Sequence, residues 1–459
     1  MLWLIFACKT DDDTASLDRD VVFEPIGWQR GLPELAAEEI DIRTIVHLHS
    51  PHSHDACDGD PQPDGVLNEA CKLDLRAALC DVRIDAAFLS DHPTHSTEVS
   101  EFKELFLIMD GDDPYYDYNG DVLANRITCA DGHRTWLFAG VESSSMMPLG
   151  LQRHLTDVYD GGYDGSATAV SWVHEQGFIS WVAHTETRTV EDLESLQLHG
   201  LELYQLHANL DPELRSEYLG LESLGFLSDV QPFFFPTPED GVTPHPDLAF
   251  LAFVEENRPS IDKMEALGLK QTIGISAGTD AHQNVFPNLA SDGERLDSYR
   301  RMMRWFNTRI QVLGDVNDPQ QILEALKNRQ TWIAFEIFGT PLGFEMQIQD
   351  SAQTYPIGTE TNWREGQQLR MVLPKLHPES PQSNELPNIE GRLIYIDETG
   401  RETLHTWTEG AFVQPVEQPG IYRLEIWIQP KHLTPYLGDY GHLADRWVPW
   451  IYSGAFFIR

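Results

Sequence analysis

The sequence predicts an α/β domain followed by a smaller all-β domain. Three observations carry that expectation. From about residue 43 to about 336, short apolar runs alternate with helical stretches, the pattern of βα units in a parallel barrel or an open α/β sheet. Nearly every one of those runs ends on His, Asp or Glu, and parallel α/β folds place their sites at the C-terminal ends of strands. After about residue 337, strands of period two follow one another without helices, as in a β-sandwich.

The elements follow in order. Thr44–His49 is strand-like, a helix spans about 68–82, and Ala86–Leu89 is a strand. Trp136–Val141 is a strand, then a helix near 168–176, then the strand Phe178–Ala183. A helix near 191–198 precedes the strand Leu201–Leu206. Long helices are expected over about 211–224 and 246–266, before the strand Thr272–Ser276. Asp318-Pro319 reads as an N-cap with Pro at the first helical position, opening a helix to about Asn328. In the β part, Phe344, Met346 and Ile348 alternate, as do Leu369, Met371 and Leu373. Leu393–Ile396 and Leu404–Trp407 flank Asp397-Glu398-Thr399-Gly400, a hairpin turn, and Tyr422, Leu424, Ile426 and Ile428 share one strand face. The stretches Pro93–Asp131 and Gln231–Pro246 read as loops walling the site, with Tyr115, Tyr116, Tyr118 and Phe233–Phe235 as stacking or covering aromatics.

The 459 residues leave room for two or three domains. Lys and Arg number 32 against 73 Asp and Glu, a formal charge of −41. That balance excludes nucleic acid as an expected partner and disfavours an anionic membrane face. Residues Met1–Ala7 are mostly apolar but too few to span a bilayer, which needs about 20. Ile5-Phe6-Ala7-Cys8 resembles a bacterial lipoprotein processing site, with Cys8 as the lipid anchor and the acidic residues after it as a tether. The expected location is therefore the cell envelope, periplasmic or on the cell surface. The other cysteines are Cys57, Cys71, Cys80 and Cys129, an even number suited to disulfides in an exported chain. Cys71 and Cys80 are nine positions apart on one helix and face opposite ways, so each is expected to pair elsewhere. The pairing adopted is Cys57–Cys71 with Cys80–Cys129; the rival is that Cys57, between Asp55 and Asp58, is a metal thiolate.

The chemistry lies in a histidine and carboxylate constellation. His47-Leu48-His49 ends the first strand, with both imidazoles on one side. Asp55 follows in the loop, Asp91-His92 ends the second strand, and Glu142 ends the third. His184 and His207 end the next two, and Asp280-Ala281-His282 follows the last. A lone histidine after a strand is usually structural, but six strand ends all carrying metal-competent side chains point to a metal site. Imidazole and carboxylate with little thiolate suit Zn, Mn or Fe.

These residues resemble the PHP family, named for polymerase and histidinol phosphatase. The resemblance rests on His47-Leu48-His49-Ser50-Pro51-His52-Ser53-His54-Asp55, Ser90-Asp91-His92, Glu142, His184, His207 and Gly278-Thr279-Asp280-Ala281-His282, and spans about residues 43–336. It implies a distorted (β/α)7 TIM-like barrel over residues 41–337, with 1–40 as signal remnant and tether and 338–459 as an appended β-sandwich. It also implies two or three divalent ions held by His47, His49, Asp55, His92, Glu142, His184, His207, Asp280 and His282, and hydrolysis of a phosphate ester by a hydroxide bridging the ions. The acidic residue near the first motif is Asp55 or Asp58; spacing from His49 favours Asp55. Asp91 is expected to orient a neighbouring His rather than to ligate. His52, His54 and His95 are candidate general acids for the leaving alcohol, and Arg188 a phosphate contact. The same metal chemistry also serves a carboxylic ester or amide. A non-catalytic metal-binding envelope lipoprotein is the third reading.

Overall fold

The computed structural model describes residues 28–35, 40–96, 99, 101–155, 163, 165–235 and 242–459. The segment around Cys8 and most of the tether lie outside these residues. The chain is a mixed α/β protein with one large sheet and smaller β-sheets beside it. The strands Asp41–Leu48, Ala86–Leu89 and Arg134–Gly140 pair in parallel. Ile179–Val182, Gly200–Gln205 and Gly274–Gly278 form a second parallel run. Short strands with nearly every residue buried are what helices on the sheet face produce. The helix Glu69–Asp81 begins where the Asn68 side chain accepts from the Cys71 N–H, and it buries Leu75 and Leu79 one turn apart.

The regular alternation expected of seven βα units is broken in two places. The antiparallel strand Met146–Leu151 links the two parallel runs. Asn307–Gln311 adds antiparallel to Asp41–Leu48, then to Thr331–Ala334. Thr331–Ala334 in turn pairs with Val448–Ser453, which carries the sheet into the C-terminal strands. Between the first and last strands of the parallel runs, Leu48 and Ala281 form a parallel bridge, and the His49 N–H donates to the Ala281 carbonyl at 3.2 Å.

Several elements differ from the sequence expectation. Within 93–131 lies a hairpin, Asp113–Tyr118 with Asp121–Thr128, turning through Asn119 and Gly120 at φ 55° and 95°. Asn-Gly is the residue pair such a turn demands, and that signal went unused. The hairpin extends the sheet through Arg134–Gly140, and Tyr116 packs on Trp136 with its hydroxyl on Asp318, so it covers the sheet rather than walling the site. The expected helix at 211–224 is only Pro212–Glu217, ended near Gly220 at φ 70°. The expected helix at 246–266 is broken into Pro246–Ala249, Phe250–Phe253 and Arg258–Gly268. All four residues of Phe250–Phe253 are buried, so no amphipathic period marks the break. The helix Tyr299–Trp305 was missed for the same reason: all seven residues are buried, three arginines included.

In the C-terminal part, Glu345–Gln349, Gln368–Val372, Ala411–Pro415 and Thr354–Tyr355 form a four-stranded sheet. Its Met346, Ile348, Leu369 and Met371 share a core with Leu393, Leu424 and Ile426 of the large sheet. Asn388–Asp397 and Gly400–Trp407 form the expected hairpin, with Asp397 opposite Gly400. On Gly420–Gln429 the face opposite the apolar one is also buried, under an ionic layer. There Arg423 and Arg401 donate to Glu265 of Arg258–Gly268 and to Glu425. Burial pushes the Glu425 carboxyl up, but Arg423 and Arg401 outweigh it and hold it down at about 2. A depressed carboxyl stabilises the fold above its ordinary range, near 4.5, and that contribution is lost as pH falls towards 2. Urea unfolding at pH 3 and pH 6 checks this: Glu425→Gln should flatten the acid-side loss of stability.

Candidate metal centre

The centre is built at one end of the parallel strands. His47 and His49 are fully buried, and the strand places their Nε2 atoms 3.0 Å apart. In four of the centre's imidazoles Nδ1 is engaged by the protein. His47 Nδ1 meets Glu202 Oε1 at 2.7 Å, and His49 Nδ1 meets the Ser53 hydroxyl at 3.1 Å. His92 Nδ1 meets the Glu142 carbonyl at 3.1 Å, and His282 Nδ1 meets the Asp280 carbonyl at 2.8 Å. Ser53 also donates to Asp55 Oδ1 at 2.9 Å, so one hydroxyl orients a histidine and a carboxylate together. With Nδ1 acting as donor, four Nε2 lone pairs face one another and the carboxylates. This is how proteins orient imidazole for a metal.

Ten side chains form three groups, the first two sharing His49, in which one ligand atom from each residue lies within 4.8 Å of the others. The first is His49, Asp55, His92 and His282; the second is His47, His49, Glu142 and Asp280; the third is His184, Glu186 and His207. Glu142 is central: Oε2 lies 3.6 Å from His47, 3.6 Å from His49 and 3.5 Å from His92, while Oε1 lies 3.5 Å from His184. Asp280 similarly reaches His47 at 3.1 Å and His184 at 3.7 Å. The residues fit divalent cations. His282 Nε2, Asp280 Oδ1, His184 Nδ1 and Glu186 Oε1 are buried yet lack a hydrogen bond among the described residues. Such groups are costly unless something satisfies them.

The electrostatics are those of crowded, unneutralised ligands. Burial and the neighbouring His282 lower His49 to about 3, which leaves it neutral. Burial also opposes charge on His92 and His184, but the Asp55 and Glu186 carboxylates respectively lift each to about 9. Against the same burial, His47 holds Glu142 down at about 2, and Asp280 is held well below its usual range by His282 and His47. A fourth acidic group, Asp247, Asp292 and Glu294, differs: Arg300 and Arg301 already occupy its oxygens.

All nine sequence-expected ligands therefore come together, and Asp58 does not join them, because Arg295 holds both its oxygens at 2.6 and 2.9 Å. Three expectations need correction, and one rival reading falls. Asp91 orients no histidine; its carboxylate accepts from the Ser50 N–H at 2.5 Å and hydroxyl at 2.8 Å, fixing the turn after His49. Burial raises that carboxyl to about 6, with the Ser50 hydrogen bonds opposing. His52 turns its Nε2 towards the Glu104 carbonyl at 3.3 Å. Arg188 donates to the Ser144 carbonyl at 2.6 Å. Cys57 is no thiolate: Cys57–Cys71 and Cys80–Cys129 are disulfides, the pairing adopted from sequence. His54 sits exposed at the rim, its ring 5.1 Å from that of His92. His95 falls in the short helix Pro93–Ser96, and its side chain lies outside the described residues.

Sequence reasoning missed Glu186, Glu202 and Ser53. The first was legible: His184-Thr185-Glu186 repeats the i, i+2 spacing of His47 and His49. Glu202 was not, since it lies within a strand rather than at its end. Room for it comes from Gly278, where a Cβ would meet the Glu202 carboxyl carbon at 2.5 Å. Gly278→Ala should therefore displace Glu202 from His47 and weaken metal binding by about 10- to 100-fold, measured by competition with a chelating dye.

No family model and no curated protein sequence matches this chain. Among solved structures it is similar to the crystal structure of PsfC from Pseudomonas syringae PB-5123. The identity is 14%, over 64% of this chain and 91% of that one, with a TM-score of 0.35, too low to assign a shared fold.

Proposed function

We propose that the chain is a metal-dependent phosphoesterase of the PHP type, using two or three divalent ions, Zn, Mn or Fe. The observation that carries this reading is the convergence of ten imidazole and carboxylate side chains from several strand ends and the loops that follow them, with Glu142 and Asp280 reaching more than one group. The Leu48–Ala281 bridge, which brings the first and last parallel strands together, supports a barrel-like arrangement at this end. When bound, divalent ions polarise the ester and acidify a water molecule. The protein's own residues do the rest. Glu202, Ser53 and the Asp280 carbonyl fix imidazole tautomers, and Asp91 fixes the Ser50 turn that carries His52–Asp55. Exposed beside His92, His54 is placed to give a proton to the departing alcohol at the mouth of the site.

Two disulfides support an exported chain, in keeping with the Cys8 pattern and a cell-envelope location. The protein loaded with Mn or Zn should hydrolyse p-nitrophenyl phosphate or bis(p-nitrophenyl) phosphate, and chelation should abolish turnover. Cleavage of p-nitrophenyl acetate or an anilide but of neither phosphate would replace the reading with ester or amide hydrolysis. Bound metal with no hydrolysis of any kind would favour a binding protein.

A further inference from the structure

One of the two disulfides is built into the wall of the metal centre, and the other is not. Asp55, a member of the first group, lies two residues before Cys57. Its Oδ2 is 3.3 Å from His282 Nε2 and 3.5 Å from His92 Nε2. The segment that follows Asp55 hangs on the strand end that carries His282. The Cys57 N–H donates to the His282 carbonyl at 3.0 Å and the Asp58 N–H to the Gln283 carbonyl at 2.9 Å. Asn284 donates to the Asp55 carbonyl at 2.9 Å. Cys57, Asp58 and Gly59 turn through φ of 56°, 61° and 75°. Two successive non-glycine residues in the left-handed region are costly, so tertiary restraint must hold the turn. Cys71, in the first turn of the helix Glu69–Asp81, supplies a covalent one.

The helix side of the bond reaches the same ligands. Cys71 Sγ lies 3.7 Å from the hydroxyl of the fully buried Tyr299. That hydroxyl donates to the His49 carbonyl at 3.0 Å and lies 3.3 Å from the His282 carbonyl. The two imidazoles whose backbones it spaces are stacked at 3.7 Å and 15°. Cys80–Cys129 has no such neighbours. The Cys129 N–H donates to the His133 carbonyl, just ahead of Arg134–Gly140, and it is the other end of that strand that leads to Glu142.

We propose that the Cys57–Cys71 disulfide is a positioning group for the ion of His49, Asp55, His92 and His282, so that this site loads fully only in the oxidised chain. The inference rests on the metal-centre reading and is independent of which ester is cleaved. The ion of His47, His49, Glu142 and Asp280 takes no ligand from the 50–59 loop and is retained without the bond.

Manganese binding to the full chain, followed by equilibrium dialysis, tests this. The unaltered protein should hold at least two ions. Cys57→Ser with Cys71→Ser should weaken one of them at least about tenfold, as loss of an orienting group does. Cys80→Ser with Cys129→Ser should leave both unchanged. Equal binding by all three proteins, or equal weakening in both pairs of variants, would overturn the proposal. Should the first pair fail to fold, linkage gives the same test in the unaltered protein: a bond that favours the ion is protected by it. Tris(hydroxypropyl)phosphine and water convert each disulfide to two thiols and form the phosphine oxide, and alkylation with mass spectrometry times each bond. Saturating manganese should slow reduction of Cys57–Cys71 at least about tenfold and leave Cys80–Cys129 unchanged. Equal rates with and without manganese, or equal protection of both bonds, would overturn the proposal. If the unaltered protein binds no manganese, the metal-centre reading falls and takes the inference with it; full binding by every variant removes the inference alone.

Discussion

Replacing Glu142 by alanine should remove metal and activity together. Its two oxygens lie within 3.6 Å of four imidazole nitrogens, on His47, His49, His92 and His184. Loss of the carboxylate leaves those histidines without their shared counter-charge and takes an anionic ligand from the second group. Metal content by plasma mass spectrometry should fall by at least one ion per chain. Hydrolysis should fall at least about a hundredfold, or roughly 2.7 kcal/mol of transition-state stabilisation. Glu142→Gln keeps the shape and removes the charge, so it should behave in the same direction while staying folded. Full metal content and activity in both variants would mean that Glu142 is not a ligand.

The second large effect is expected far from the chemistry. Glu336 is fully buried and accepts from Arg43 Nε at 2.9 Å and Nη2 at 3.0 Å, Asn307 at 2.9 Å and Thr340 at 2.7 Å, with Arg309 on the same carboxylate. Burial pushes its carboxyl up, but Arg309 and Arg43 hold it well below its ordinary range. Arg43 lies four residues before His47 on the same strand, roughly 13 Å from the metal centre. Glu336→Ala strands two buried guanidinium groups and should cost about 3–5 kcal/mol in urea unfolding. Metal bound per folded chain should not change. The contrast with Glu142 separates the end of the sheet that holds the fold from the end that carries the chemistry. Metal loss in Glu336→Ala without loss of stability would reverse that assignment.

The sequence showed the centre more clearly than the scaffold around it. Ligands such as His184 and Asp280 stand at the ends of short apolar runs, where a strand terminus is visible as a change from apolar to polar. Glu202 was hidden because it points inward from the middle of a strand, into space that Gly278 leaves open, and no local pattern marks such a pair. The helix Tyr299–Trp305 was hidden because Arg300, Arg301 and Arg304 are buried by partners distant in sequence, Asp247 above all. Periodicity reads arginine as solvent-facing and cannot see a counter-charge 50 residues away. The breaks at Val254–Asn257 follow from tertiary contacts as well: Asn209 donates to Asn257 at 2.7 Å and accepts from the Glu255 N–H at 2.7 Å. For the disulfides, helix geometry excluded only a Cys71–Cys80 bond and left two pairings, of which the adopted one, Cys57–Cys71 with Cys80–Cys129, is formed.

The most direct test of the central claim is anomalous diffraction from crystals grown with Zn or Mn, recorded on both sides of the metal edge. The account requires at least two peaks. One should lie about 2.0–2.2 Å from ligand atoms among His47, His49, Glu142 and Asp280, and another the same distance from atoms among His49, Asp55, His92 and His282. No anomalous peak at either group, or peaks only at Asp247, Asp292 and Glu294, would contradict it.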